Sequence, residues 1–400
     1  MRSGTRLALA AALLGCLSAA ACGTASQPTP PPTTATAPLP LRTLYVQAPL
    51  TGPAADEGRA MVDAVRLVVD QHGGIAGQVR VKVRALDDAG NAPIATEPAR
   101  CAANAALAAA DPRALAVIGT YELPCTKRAL HVLRPAGLWL VSPLNAADRL
   151  PGALRLAPSE SDEGVAAAQL ANALGATRVA VISQRPGAET AFASALITAA
   201  PAARIGPVLE LDASGAAPAA LVGNLRDAQI QVAALAGSPG TWATDFLRAL
   251  AALPDAVRPA VVAPETFDTL GFVDGVGAAA DGVRVISRLV PAEQLGGSAG
   301  SFASAYADLH GQPPPVAAYA ADAAEAVIAA VGKGNGSRAQ VAAALQTLPA
   351  HDALLGSWAA TLSGGITPRR LAVLLVGGGA FRVERVVSIS EPQPPSGDVK

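Results

Sequence analysis

Leu115-Ala116-Val117-Ile118-Gly119 and Leu138-Trp139-Leu140-Val141 are two uninterrupted apolar runs, and the stretch between them carries Leu130, Val132 and Leu133 at helical spacing. A strand buried on both faces, as in a parallel sheet covered by helices, reads as a continuous apolar run rather than an alternation. The two runs with their intervening helix therefore make a strand–helix–strand unit. Upstream, Thr43–Gln47 reads as a short strand, and Pro53 opens a helix with an apolar stripe of Met61, Ala64, Val65, Val68 and Val69. Gly73-Gly74 ends that helix. Val79, Val81, Val83 and Ala85 alternate with Arg80, Lys82 and Arg84, the period of a half-exposed strand. Asp87-Asp88-Ala89-Gly90-Asn91 is a turn, followed by a helix from about Pro93 to Ala110. Downstream the pattern repeats, with strands at Val179–Ser183, Val208–Leu211, Val232–Ala236 and Val261–Ala263 and helices between them. This repetition predicts an α/β fold with two doubly wound parallel sheets. Ligands of such sheets sit beyond the carboxyl ends of the strands, so the loops after the strands are where function is sought.

The chain has 400 residues, 51% hydrophobic, 15% charged and 3% aromatic, with a formal net charge of −1. At roughly 150 residues per domain this suits two domains, each with its own core. Near-neutrality at this apolar content excludes disorder throughout the chain. It also lacks the clustered Lys and Arg that nucleic-acid binding requires.

Arg2 and Arg6 precede an apolar run from Leu7 to Ala21, too short to span a bilayer, so residues 1–21 read as a secretory signal. The small residues end at a cysteine, in Ser18-Ala19-Ala20-Ala21-Cys22-Gly23. This resembles the lipobox of bacterial lipoproteins, which implies lipidation at Cys22. Cys16, after Leu13-Leu14-Gly15, is a competing site, and an ordinary cleaved signal is the other reading. Residues 22–42 form a Pro/Thr-rich tether and 389–400 a polar tail. No later segment has eighteen uninterrupted apolar residues, so the expectation is an exported protein, lipid-anchored to the outer face of the cell membrane. Outside the cytoplasm, an isolated cysteine pair such as Cys101 and Cys125 reads as a disulfide. Closing that 24-residue loop stabilises by roughly 3–4 kcal/mol at most. His72, His131, His310 and His351 lie far apart, and no metal site or cofactor is expected.

Three motifs fail on context. Gly296-Gly297-Ser298-Ala299-Gly300 matches the G-x-S-x-G nucleophile elbow, but Pro291-Ala292-Glu293-Gln294 before it is loop rather than buried strand. It reads as a loop, with Ser301 capping the helix that follows. Gly275-Val276-Gly277-Ala278-Ala279-Ala280 fits a dinucleotide fingerprint but ends a helix instead of starting one. Gly332-Lys333-Gly334 lacks the spacing of a phosphate loop and ends an alanine-rich helix. No enzyme is expected.

Ala48-Pro49-Leu50-Thr51-Gly52-Pro53, Gly73-Gly74-Ile75-Ala76-Gly77 and Asp87-Asp88-Ala89-Gly90 follow in an order that resembles the opening of the leucine/isoleucine/valine-binding proteins. Val117-Ile118-Gly119-Thr120-Tyr121, Val141-Ser142-Pro143, Leu154 to Ser159 and Tyr306 to Tyr319 continue the resemblance, which spans Thr43 to Val387. These are type I periplasmic substrate-binding proteins of ABC importers. The resemblance implies two lobes joined by three hinge crossovers, lobe 1 at 43–156 and 287–362, lobe 2 at 157–286 and 363–388. It implies a small-molecule solute in the cleft, ABC permease subunits as partners and membrane attachment through the lipid anchor. A disulfide like Cys101–Cys125 occurs in some members.

Residue by residue, the site transfers in part. Where the family holds an amino-acid carboxylate with small hydroxyl residues near a helix N-terminus, this chain has Glu122 and Leu123, with Thr126 nearby. Beyond Leu144 an expected threonine is Ala146, with Asn145 beside it. An aromatic expected near Gly187-Ala188 is missing, as is one in the Gly237-Ser238-Pro239 loop unless Trp242 reaches in. Glu265 matches an acid that faces the ligand ammonium, and Tyr319 an aromatic near the cleft; each has an ordinary alternative, a solvated loop acid and core packing. The expected ligand-binding residues are Thr51, Tyr121, Glu122, Leu123, Leu144, Asn145, Glu265 and Tyr319. Glu122 and Glu265 lining one cleft favour an amino-acid-like, amide or cationic solute, with Leu123 and Leu144 against its hydrocarbon part. The alternative is a sensing or interaction lipoprotein that uses the same fold without transport.

Overall fold

The computed structural model describes residues 38–90, 96–184, 190–332, 334 and 336–390. The expected signal, the Cys16 and Cys22 sites, the tether up to residue 37, Gly187-Ala188 and the tail from 391 lie outside them; Leu41 and Arg42, expected in the tether, instead open the first strand, and Ile389, expected in the tail, closes the last.

From residue 39 onward the chain forms one compact unit built on two large sheets. The first holds β1 (Leu41–Ala48), β2 (Ile75–Ala76), β3 (Val79–Asp87), β4 (Ala114–Gly119), β5 (Leu140–Ser142) and β6 (Ala153–Arg155). Its order is β2-β3-β1-β4-β5-β6, parallel except for the short β2. The next strands are β7 (Val179–Ser183), β8 (Leu209–Asp212), β9 (Val232–Ala236), β10 (Ala260–Pro264) and β11 (Arg284–Ser287). A small antiparallel sheet of β12 (His351–Ala353), β13 (Gly356–Ala360) and β14 (Ile366–Thr367) precedes β15 (Arg369–Gly377) and β16 (Ala380–Ile389). The second large sheet runs β16-β15-β11-β10-β9-β7-β8, with β7 to β11 parallel and the β15–β16 hairpin antiparallel. The chain passes between the large sheets after β6, after β11 and before β15.

All six residues of β4 and all five of β9 are buried, as the apolar runs require. The helix Pro315–Gly332 is long and apolar enough to cross a membrane, but most of its alanines are buried, and it packs against the first sheet and the helix Ala55–Gln71. Trp139 lies one residue ahead of β5 rather than inside it. The helix expected at Pro53 begins at Ala55, and Gly73 and Gly74 stop it with φ of 64° and 69°. The helix Ala299–His310 starts at Ser298, so Ser301 sits inside its first turn and does not cap it. The cysteines at 101 and 125 are joined, Cα atoms 5.5 Å apart, tying the helix Pro98–Ala110 to Leu123–Leu133. Among the described residues Asp88 completes a metal-capable trio with these two sulfurs, but the disulfide takes both of them.

Candidate functional site

The carboxyl ends of both parallel sheets carry the residues of interest. β4 ends at Gly119, where φ is +135° and a Cβ would lie 2.2 Å from the Gln47 carbonyl oxygen, so only glycine fits there. The turn that follows sets out Thr120, Tyr121 and Glu122 ahead of the helix Leu123–Leu133. Gly58 serves the neighbouring helix in the same way: a Cβ there would lie 1.7 Å from the Pro49 carbonyl oxygen. Its absence lets the first turn of Ala55–Gln71 press against the loop after β1 and brings Glu57 to the mouth of the site. The Tyr121 hydroxyl donates to Glu57 Oε2 at 2.9 Å.

Behind Glu122 lies a closed polar knot. Thr120 and Thr126 share a hydroxyl hydrogen bond of 2.6 Å, and Asn145 Nδ2 donates to Thr126 Oγ1 at 2.8 Å. Asn145 Oδ1 accepts from the Ala147 N–H, and Thr126 also donates to the Glu122 carbonyl. All three side chains are buried, so their polar atoms serve one another. The Glu122 carboxylate accepts from the Thr96 hydroxyl at 2.5 Å. Leu123 and Leu144 are half-buried, Leu144 in the loop after β5. Thr51 is exposed and donates to Asp87 Oδ2 at 2.8 Å.

On the second sheet, Glu265 follows β10 and Arg288 follows β11. Arg288 Nε lies 2.8 Å from Glu163 Oε1, and Arg288 is also ion-paired with Glu265. Glu163 Oε2 accepts from the Glu265 N–H at 3.0 Å. Burial pushes the Glu163 carboxyl up to about 8 in spite of Arg288 beside it. Asp268 is raised to about 6, first by burial and then by Glu265. Tyr319 is buried; its hydroxyl donates to the Arg288 carbonyl at 2.9 Å and accepts from the Val290 N–H at 3.1 Å. Its ring supports the chain just after β11.

Tyr121 feels acids from both halves. Burial first, then Glu57, Glu122 and Glu265, holds this phenol well above its usual range. Glu57 and Glu122 come from the first sheet's side, Glu265 from the second's. A cavity of about 330 Å³ opens among Ser183, Thr190, Ala236, Gly237 and Trp242, beyond the carboxyl ends of β7 and β9. Trp242 donates through Nε1 to the Ser238 carbonyl at 3.3 Å and forms part of that cavity wall. Sequence reasoning missed Glu57, Glu163 and Arg288. Arg288 could have been found, because it directly follows a strand of the second sheet as Glu265 does.

Polar residues gathered at the carboxyl ends of two α/β sheets are the arrangement in which such sheets hold small ligands. The family model described as periplasmic binding protein matches residues 46–380, and the chain belongs to that family. Among curated proteins none matches the chain. Solved structures do. A putative branched-chain amino acid ABC transporter protein from Rhodospirillum rubrum is 26% identical, covering 86% of this chain and 99% of that one at a TM-score of 0.67. The substrate-binding protein LivJ from Streptococcus pneumoniae, solved with isoleucine, is 16% identical, covering 87% and 100% at a TM-score of 0.63. A solute-binding protein of an ABC transporter from R. palustris, solved with 4-hydroxybenzoate, is 16% identical, covering 90% and 99% at 0.65. The chain is thus an ABC transporter solute-binding protein, a transport receptor rather than an enzyme, working outside the cytoplasm.

Proposed function

We propose that this protein captures a small amino-acid-like, amide or cationic solute between its two sheets and presents it to an ABC permease. The observation that carries this reading is that acids from both sheets act on Tyr121: Glu57 accepts its hydroxyl at 2.9 Å, and the charges of Glu122 and Glu265 raise the phenol further. Acids facing a cleft from both walls favour a ligand rich in N–H donors over a simple carboxylate. Glu122 stands where relatives hold the ligand carboxylate, and a second negative charge there would be repelled. Leu123 and Leu144 contact the hydrocarbon part, and Trp242 offers the aromatic wall. Thr51, Asn145 and Tyr319 act as supports, through Asp87, Thr126 and the Arg288 backbone. Lobe 1 (43–156 and 287–362) and lobe 2 (157–286 and 363–388) close over the solute about the three crossovers. Closure extends only as far as the solute's preference for the closed state drives it. Lipid attachment at Cys22 holds the receptor at the outer membrane face beside its permease.

Isothermal calorimetry with amino acids, amides and amines tests this reading. Glu122→Ala is expected to weaken binding of a nitrogen-rich solute at least tenfold. Tight leucine binding, undiminished in Glu122→Ala, would contradict it.

A further inference from the structure

Arg288 is held from both ends. Its carbonyl accepts the Tyr319 hydroxyl, and its guanidinium reaches across to the first sheet's side, where Nη1 donates to the Leu144 carbonyl at 3.1 Å. Between these anchors it lies against Glu163 and Glu265, with 19% of the side chain exposed. Of the two acids, Glu163 is buried and burial disfavours its charge, whereas Glu265, at the end of β10, is the partly exposed partner of the guanidinium. The acid at the end of β10 therefore already has a cation in contact with it. A ligand ammonium brought to the same carboxylate would stand beside the guanidinium as a like charge, in a partly desolvated place where such repulsion is expensive. An uncharged N–H donor meets no such repulsion and can use the carboxylate's remaining lone pairs.

Resting on the cleft reading above, we propose that Arg288 is a specificity-determining residue. Its guanidinium acts as a built-in counter-cation for Glu265, so that the ligand group seated there is an uncharged donor such as a carboxamide, and a primary ammonium is rejected. The preference belongs to this chain's own arginine, and removing it should admit the ammonium.

Two probes share one branched hydrocarbon and differ in the head group: 3-methylbutanamide and 3-methylbutylammonium. Calorimetry at low salt on the purified chain is expected to show the amide binding at least about tenfold more tightly. Arg288→Gln should shift the ratio toward the ammonium at least about tenfold, and Arg288→Lys, which keeps a cation, should retain the original order. Thermal melts of both variants verify folding; should Arg288→Gln fail to fold, the unaltered protein and Arg288→Lys still test the order. An ammonium that binds the unaltered protein as tightly as the amide overturns the proposal, as does a ratio unchanged in folded Arg288→Gln. Those outcomes leave the cleft reading standing. No heat from either probe with any of the folded proteins would overturn the cleft reading, and the role of Arg288 with it.

Discussion

Asp162 and Glu163 are neighbours on the first turn of the helix Glu160–Ala173, yet they do opposite things. Asp162 closes on itself. Its carboxylate accepts from the Ser159 N–H in a capping box and lies 2.9 Å from Arg369 Nε and 3.8 Å from Arg155 Nη1. All of these side chains are buried, and the two arginines sit on the first and third passages of the chain between the sheets. Glu163 turns toward Arg288 on the second passage and shares it with Glu265 at the edge of the cleft. One carboxylate is a structural counter-ion for two buried cations; the next belongs to a cluster that a ligand can perturb. The contrast teaches that burial and ion pairing alone do not mark a functional acid. What distinguishes Glu163 is a partner that is itself shared with a cleft residue.

Asp162→Asn should give the largest effect. It leaves two buried guanidiniums facing a neutral amide and is expected to cost about 3 kcal/mol or more, read as a lower urea midpoint. An unchanged midpoint would erase the distinction between the two neighbours.

The pH dependence of stability comes next. Glu163 at about 8, and Asp88 and Asp322 at about 7, are all raised chiefly by burial. Each folded carboxyl then binds more protons than its unfolded form between roughly pH 4 and these values. The stability they contribute is complete below that window and is lost as pH rises through it. Asp111 runs the other way: burial pushes it up, but hydrogen bonds, led by the Arg113 N–H and the Tyr45 hydroxyl, outweigh this and hold it at about 2. Its contribution is lost only on acidification below about pH 4, so it does not offset the slope above pH 5. Urea midpoints are therefore expected to fall from pH 5 to pH 8. Glu163→Gln should make that slope shallower while costing less than about 1 kcal/mol at pH 7. A midpoint that rises over this range, or a Glu163→Gln loss as large as that of Asp162→Asn, would break the comparison from the other side.

Much of the framework was readable from residue patterns. The continuous runs at 115–119 and 138–141 marked buried parallel strands, and Gly73-Gly74 marked a helix end. The β15–β16 hairpin was not read, because Leu371 to Val376 is as apolar as a parallel strand and nothing local fixes strand direction. The site was less legible than the fold. Glu265 could be found from its place after a strand. Glu163, in the first turn of a helix, looks like any acid that complements the helix dipole. Its role depends on Arg288, far along the chain, and such pairing is set by tertiary packing. Thr126 and Asn145 look like free donors in the sequence, yet packing turns them toward each other.

The most direct test of the cleft assignment is the small molecule the protein carries when purified from its own source. Released by denaturation and identified by mass spectrometry, the solute is expected at up to one equivalent, with a nitrogen-bearing donor group such as an amide on a small hydrocarbon body. A nitrogen-free carboxylate released at one equivalent would contradict the account.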